Sequence, residues 1–231
     1  MQRHLDAIGV RQGTDLSSLG WDHLGAWERF LAPLRDQAFD LLQIGVGTGA
    51  SLRTWREWLP EARLVGLDPR RIILDPPVAG CAIVHGNQTD LAVQQSLLRD
   101  YRFRLIVDDG SHHPDDQVQT FQLLFPWLEP DGVYICAGFS DHAVAPRDQP
   151  AQPGEHSPVP AGNSAQPGER STQPEDRAAR RTGSAWFVEL GGALTAGERG
   201  DCRTLEQLMR DFIVRKATGV FLLRDSVVVT S

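Results

Sequence analysis

The chain alternates between two hydrophobic periods. Five short apolar runs end in Gly or Asp: FDLLQIGV (39–46), RLVGLD (63–68), AIVHG (82–86), FRLIVDD (103–109) and GVYICAG (132–138). Runs of this length, apolar at nearly every position and closed by turn residues, suit strands buried on both faces of a parallel sheet. Between them the period lengthens. SLRTWREWL (51–59) places Leu52, Trp55 and Leu59 on one helical face, and DDQVQTFQLLFPWL (115–128) does the same with Val118, Phe121, Leu124 and Phe125. TLEQLMRDFI (204–213) predicts one more helix. VFLLRDSVVVTS (220–231) predicts two strands joined by a tight turn at 224–226 and paired antiparallel at a sheet edge. The predicted fold class is α/β: a doubly wound, Rossmann-like, seven-stranded and mostly parallel sheet with a C-terminal antiparallel hairpin.

One stretch breaks the pattern. Residues 143–183 hold seven of the fifteen prolines and almost no large apolar side chain, and AQPGEHS (151–157) recurs as AQPGERS (165–171). Two copies without an apolar face cannot stack into a solenoid, so the segment reads as a disordered, low-complexity insertion produced by local duplication. The organisation is then an N-terminal helical segment (1–38), a core (39–142), the insertion (143–183) and the rest of the same core (184–231).

Composition excludes more than it assigns. A chain of 231 residues, 41% hydrophobic, buries one sizeable core. Its net charge of −7 repels phosphate backbones, which argues against nucleic acid. MQRHLDAIGV has no apolar leader core and no long apolar run suggests a membrane span, so the expectation is a cytoplasmic protein without membrane contact, free to form a homo-oligomer. Cys81, Cys136 and Cys202 are widely spaced and form no CxxC pair, which signals neither a disulfide framework nor zinc. Lys216 is the only lysine among 23 basic residues, a bias that identifies no activity.

Candidate chemistry sits where strands end, as doubly wound sheets require. The first ends in IGVGTGAS (44–51), where Gly45, Gly47 and Gly49 let a ligand approach the backbone ahead of a helix N-terminus, with Val46 and Ser51 lining the same turn. The stretch also satisfies the dinucleotide pattern GxGxxA, and Asp68, closing the second strand, suits the ribose of either NAD or S-adenosylmethionine. After the third strand, HGNQTD (85–90) offers the amides of Asn87 and Gln88 to an adenine edge. After the fourth, IVDDGSHHPDDQ (106–117) crowds four carboxylates and two imidazoles into nine residues, beginning at Asp108, which is expected to join Asn87 and Gln88 in facing the cofactor.

With these in place the chain resembles class I S-adenosylmethionine-dependent methyltransferases, specifically the macrolide-sugar O-methyltransferases of the macrocin and mycinamicin type. The resemblance runs through GTD (13–15), WERFLAPLR (27–35), IGVGTGASLRTW (44–55), VGLD (65–68), GNQTD (86–90) and VDDGSH (107–112), and resumes in LLRDSVVV (222–229). It implies S-adenosylmethionine as cofactor, held by the glycine loop and Asp68, and a small hydroxylated acceptor such as a sugar. By the same resemblance, Asn87 stands where an aspartate usually faces the adenine, and can still present an oxygen to the exocyclic amine without charge. Asp109 matches a magnesium ligand, and His112 the histidine that removes the proton of the acceptor hydroxyl. A base with an ordinary pKa near 6.5 suits that step. His113 competes for the simpler task of capping the next helix.

The sequence departs from the resemblance after the fifth strand. An adjacent Glu-Asp pair completes the family's magnesium site there, and the matching positions are Ala137 and Gly138. Neither offers the oxygen a hard cation needs. Asp115, Asp116, Asp141 or His142 are the carboxylates and imidazole nearest to hand. The expectation is therefore an O-methyltransferase working without magnesium. A second reading keeps the fold as a binding or scaffold module without catalysis. A third, a nicotinamide-dependent oxidoreductase, rests on GxGxxA alone and lacks a catalytic Tyr/Lys pair.

Overall fold

A computed structural model describes residues 4–138, 216–223 and 226–231. The elements run α1 (Leu5–Gln12), α2 (Leu24–Leu31), β1 (Asp40–Ile44), α3 (Ala50–Trp58), β2 (Arg63–Asp68), β3 (Cys81–His85), α4 (Leu91–Asp100), β4 (Phe103–Asp108), α5 (Pro114–Leu124), β5 (Val133–Ala137), β6 (Gly219–Leu223) and β7 (Ser226–Thr230). The strands form one seven-stranded sheet in the order β3-β2-β1-β4-β5-β7-β6. Strands β1 to β5 pair parallel, and β7 pairs antiparallel with both β5 and β6. The expected hairpin is present, with β7 seated inside the sheet and β6 at its edge.

Side chains on successive strand residues separate into two cores. Leu41, Leu64, Leu105, Val107 and Ile135 pack with Leu5, Trp27, Leu52 and Trp55 of α1, α2 and α3. Leu42, Val65, Ile106, Tyr134 and Val229 pack on the other face with Leu97, Phe121 and Leu124 of α4 and α5. This two-sided burial is why the parallel strands read as unbroken apolar runs. The buried indoles also carry polar bonds. Trp27 Nε1 donates to Ser226 Oγ (3.0 Å), tying α2 to β7, and Trp55 Nε1 donates to Gln43 Oε1 (2.8 Å), tying α3 to β1.

Helix α5 buries Phe121 and Leu124 as expected, with Phe125 just beyond it, and departs from expectation at Val118 and in its polar positions. Its buried positions are Gln117, Thr120, Phe121 and Leu124, while Val118 is only half-buried. Polar residues occupy the buried stripe because partners on neighbouring elements satisfy them. Pro114 opens the helix and Asp115 and Asp116 occupy its first turn, where the positive end of the peptide dipoles favours carboxylates. His113 takes the cap position without a side-chain capping bond. Of the cysteines, Cys136 is buried and Cys81 partly so. The insertion, Asp141, His142, Cys202 and the helix expected at 204–213 lie outside the described residues. Among the described residues, no helix is long and apolar enough to cross a membrane.

Candidate active site

The carboxyl ends of β1, β2, β4 and β5 are in register, with Ile44 opposite both Leu67 and Asp108, and Asp108 opposite Cys136. The loops leaving these strands must therefore meet. Gly45 N–H donates to Leu67 O (2.9 Å) and Asp109 N–H to Ile44 O (3.0 Å), which extends the sheet ladder one residue into the loops.

The first two glycines have different tasks. Gly45 has φ 78°, and a Cβ there would overlap the Asp109 carbonyl oxygen. It lets the first and fourth loops touch. Gly47, φ 54°, has no atom within 4 Å of where its Cβ would stand, so its backbone faces open space. Gly49 caps α3, and Ser51 is buried in that helix's first turn.

Asp68 is the hub of the glycine loop. Its Oδ2 accepts from the amides of Val46 (3.0 Å) and Gly47 (3.4 Å), and its Oδ1 from the amide of Arg70 (2.9 Å). Arg70 also grips it side on, Nε to Oδ1 at 3.0 Å and Nη2 to Oδ2 at 3.1 Å. Burial alone would raise the Asp68 pKa; the bonds from Arg70 and from the amides of Arg70 and Val46 outweigh it and hold the carboxyl at about 2.

Two residues expected to face the cofactor point inward instead. Gln88 is buried, donating from Nε2 to Asp108 (3.3 Å) and Thr120 Oγ1 (3.1 Å) and accepting from the Ser111 amide (2.9 Å). Asp108 is fully buried, accepting from Gln88, Tyr134 Oη (3.1 Å) and the Gly110 amide (3.3 Å). Together they brace the loop that carries Asp109 and His112. Asn87 is exposed, but the oxygen expected to meet the adenine already accepts from the Thr89 amide (2.9 Å) and hydroxyl (3.0 Å). Thr120, Tyr134, Gln117 and Arg70 were missed by motif reading; only Arg70, two residues from Asp68, carried a local signal.

Burial pushes Asp108 up to about 7 against the bonds it accepts, and pushes Asp109 up to about 8, with the charges of Asp15 and Asp108 adding to the rise. An acid raised on folding binds protons more readily folded than unfolded, so its stabilisation is complete below the unfolded value near 3.9 and is lost as pH rises through 7. Melting temperature should thus fall between pH 5 and 8, and Asp108→Asn should flatten that slope. A slope unchanged in Asp108→Asn would assign it to another group.

His112 adopts a left-handed backbone, φ 54°, and is about half exposed, at 46% of its side chain. Its Nδ1 lies 3.3 Å from Ala137 O, which also accepts from Gln117 Nε2 at 2.8 Å. A carbonyl oxygen only accepts, so the hydrogen bond requires the proton on Nδ1 and leaves the Nε2 lone pair free in the neutral ring. Nε2 sits 3.7 Å from Asp109 Oδ1. At position 138, where the resemblance places a metal-binding carboxylate, a Cβ would overlap His112 Nδ1. With the ring placed as it is here, there is no room for a side chain at 138. Among the described residues no three His, Cys, Asp or Glu side chains are grouped to hold a metal. Open backbone at Gly47 beside the Asp68 carboxylate does fit a ligand with a ribose diol.

No family model matches the chain. Two relatives come from Streptomyces olivaceus. The 8-demethyl-8-(2-methoxy-alpha-L-rhamnosyl)-tetracenomycin-C 3'-O-methyltransferase is 26% identical over 159 residues, 61% of this chain and 40% of that protein. The 8-demethyl-8-alpha-L-rhamnosyl tetracenomycin-C 2'-O-methyltransferase is 32% identical over 143 residues, 57% of this chain and 36% of that one. The matched stretch thus spans well under half of either relative. Among solved structures, the MycE methyltransferase of the mycinamycin pathway, in complex with Mg and SAH, superposes with a TM-score of 0.73 at 20% identity, over 99% of this chain and 53% of its own. The chain is thus similar over part of its length to natural-product sugar O-methyltransferases, the mycinamicin VI and demethylmacrocin enzymes included, and it shares the Rossmann-like fold of MycE.

Proposed function

We propose that the protein transfers a methyl group from S-adenosylmethionine to a hydroxyl of a sugar or other small natural-product metabolite, without a magnesium ion held after β5. The observation that carries this reading is the imidazole of His112, with its Nε2 lone pair free, beside a glycine loop and a ribose-type carboxylate on adjoining strand ends. The open Gly47 backbone and Asp68 would hold the cofactor, with Asn87 at the adenine edge. When bound, the cofactor supplies an electrophilic methyl on a sulfonium centre.

The chain's own residues do the rest. His112 Nε2 takes the acceptor O–H proton while the oxygen's electron pair forms the new C–O bond; the C–S bond breaks and its electrons stay on sulfur. Ala137 O, held by Gln117, fixes the ring so that Nε2 is the acceptor nitrogen. Asp109, with Oδ1 3.7 Å from Nε2, stabilises the imidazolium that forms through its ionised carboxylate. The net charge of −7 supports a neutral hydroxylated acceptor over a polyanion, and the likeness to enzymes of glycosylated natural products supports a sugar.

Incubation with labelled S-adenosylmethionine and a panel of rhamnosylated and other deoxysugar glycosides, with and without EDTA, tests this. Methyl transfer insensitive to EDTA is the expected result. Transfer abolished by EDTA and restored by magnesium would show that other oxygens rebuild a metal site. Firm cofactor binding with no transfer to any acceptor would favour the scaffold reading.

A further inference from the structure

Asp68 has no acceptor capacity to spare. A carboxylate offers about four lone-pair sites, and here five N–H donors compete for them: three backbone amides, at Val46, Gly47 and Arg70, and the Nε and Nη2 donors of the single Arg70 guanidinium. The amides are fixed by the turn. The guanidinium is not, since the Arg70 side chain is 64% exposed while its partner carboxylate is 2% exposed. Its two bonds, Nε to Oδ1 and Nη2 to Oδ2, occupy both oxygens that a vicinal diol would use.

We propose that Arg70 is a displaceable latch: it competes with the ribose diol of the cofactor for Asp68, must swing into solvent on binding, and so sets cofactor affinity. This rests on the cofactor reading above. Displacement exchanges one bidentate partner for another of matching geometry, so it leaves no buried carboxylate oxygen unpaired. It also explains how a carboxylate this deeply buried stays ionised before the ligand arrives, ready to accept from both hydroxyls. Because the guanidinium half of the pair is mostly exposed, its competition is modest and sensitive to salt, although the carboxylate half is buried.

The test is calorimetric titration of the full chain and of Arg70→Ala with S-adenosylhomocysteine, each at low and high NaCl. Arg70→Ala retains the backbone amide bond to Oδ1, so Asp68 keeps its place. The latch predicts tighter binding in the variant, by about two- to fivefold at low salt. It also predicts that added salt improves wild-type affinity and leaves the variant unaffected. Arg70→Gln, which keeps bulk without charge, should behave as Arg70→Ala does. Equal affinity in wild type and variants would overturn the latch. Weaker binding in the variants would overturn it too, by showing that Arg70 grips the ligand itself. Absence of binding in every chain would overturn the cofactor reading, and the latch with it, which separates that failure from the other two.

Discussion

His112→Ala should lower methyl-transfer turnover by roughly 10² to 10⁴ fold, the usual contribution of a positioned general base, and leave cofactor affinity unchanged. The imidazole acts on the acceptor's proton, and its own partners are Ala137 O and Asp109, on the fourth and fifth strand exits, whereas Asp68 closes the second strand and makes no bond to it. Stability should change little, because the side chain is half exposed and removing it relieves no buried charge. Gly138→Ala offers an independent route to the same loss. The added methyl would occupy the position of Nδ1, so the ring must leave its bond to Ala137 and the lone pair on Nε2 is no longer fixed. If Gly138→Ala retained full turnover while His112→Ala lost it, the ring would not need the observed placement. Full turnover in both would dismiss His112 as the base.

That overlap bears on the metal question. The sequence shows Ala137 and Gly138 only as missing ligands, a deficit relative to the resemblance. The structure adds a reason: the volume at 138 is taken by the imidazole. Restoring a carboxylate by Gly138→Asp would therefore displace the base and should not by itself confer magnesium dependence.

What could be read from the sequence divides along a physical line. The strands were legible to within a residue or two because two-sided burial writes a continuous apolar run, and the loop positions followed because Gly and Asp end those runs. The buried face of α5 was read in part: Phe121, Leu124 and Phe125 are buried as expected and Val118 only half so, while polar positions that join the buried stripe were missed for the complementary reason. Periodicity counts Gln117 and Thr120 as solvent-facing, yet both are buried, bonded to Ala137 O and Gln88 on other elements. Gln88 failed the same way: an amide in a strand-exit loop looks free until its partners, Asp108 and Ser111, arrive from the next strand exit. No local pattern encodes a partner twenty residues away. Asp68 was identified as an acceptor, but its occupation by Arg70 depends on a side-chain rotamer that spacing does not dictate.

The glycine loop shows how the same residue type carries two separable roles, and it yields the largest expected stability effect. Gly45→Ala should destabilise the protein by about 2 to 5 kcal/mol, from the left-handed backbone, at about 1 to 2 kcal/mol, and the overlap with the Asp109 carbonyl, at about 1 to 3 kcal/mol. That oxygen belongs to backbone whose own amide is bonded to Ile44, so it cannot move aside as a flexible side chain would. Gly47→Ala shares only the backbone term, about 1 to 2 kcal/mol, because nothing stands where its methyl would go. Its cost should fall on ligand binding instead: a methyl projecting into the space the backbone leaves open should weaken S-adenosylhomocysteine at least tenfold, a loss of about 1.4 kcal/mol. Chemical denaturation and titration of the two variants side by side decide the matter. Equal stability losses would mean that the fourth loop yields at Asp109, and undiminished affinity in Gly47→Ala would mean that the ligand does not approach the chain at Gly47.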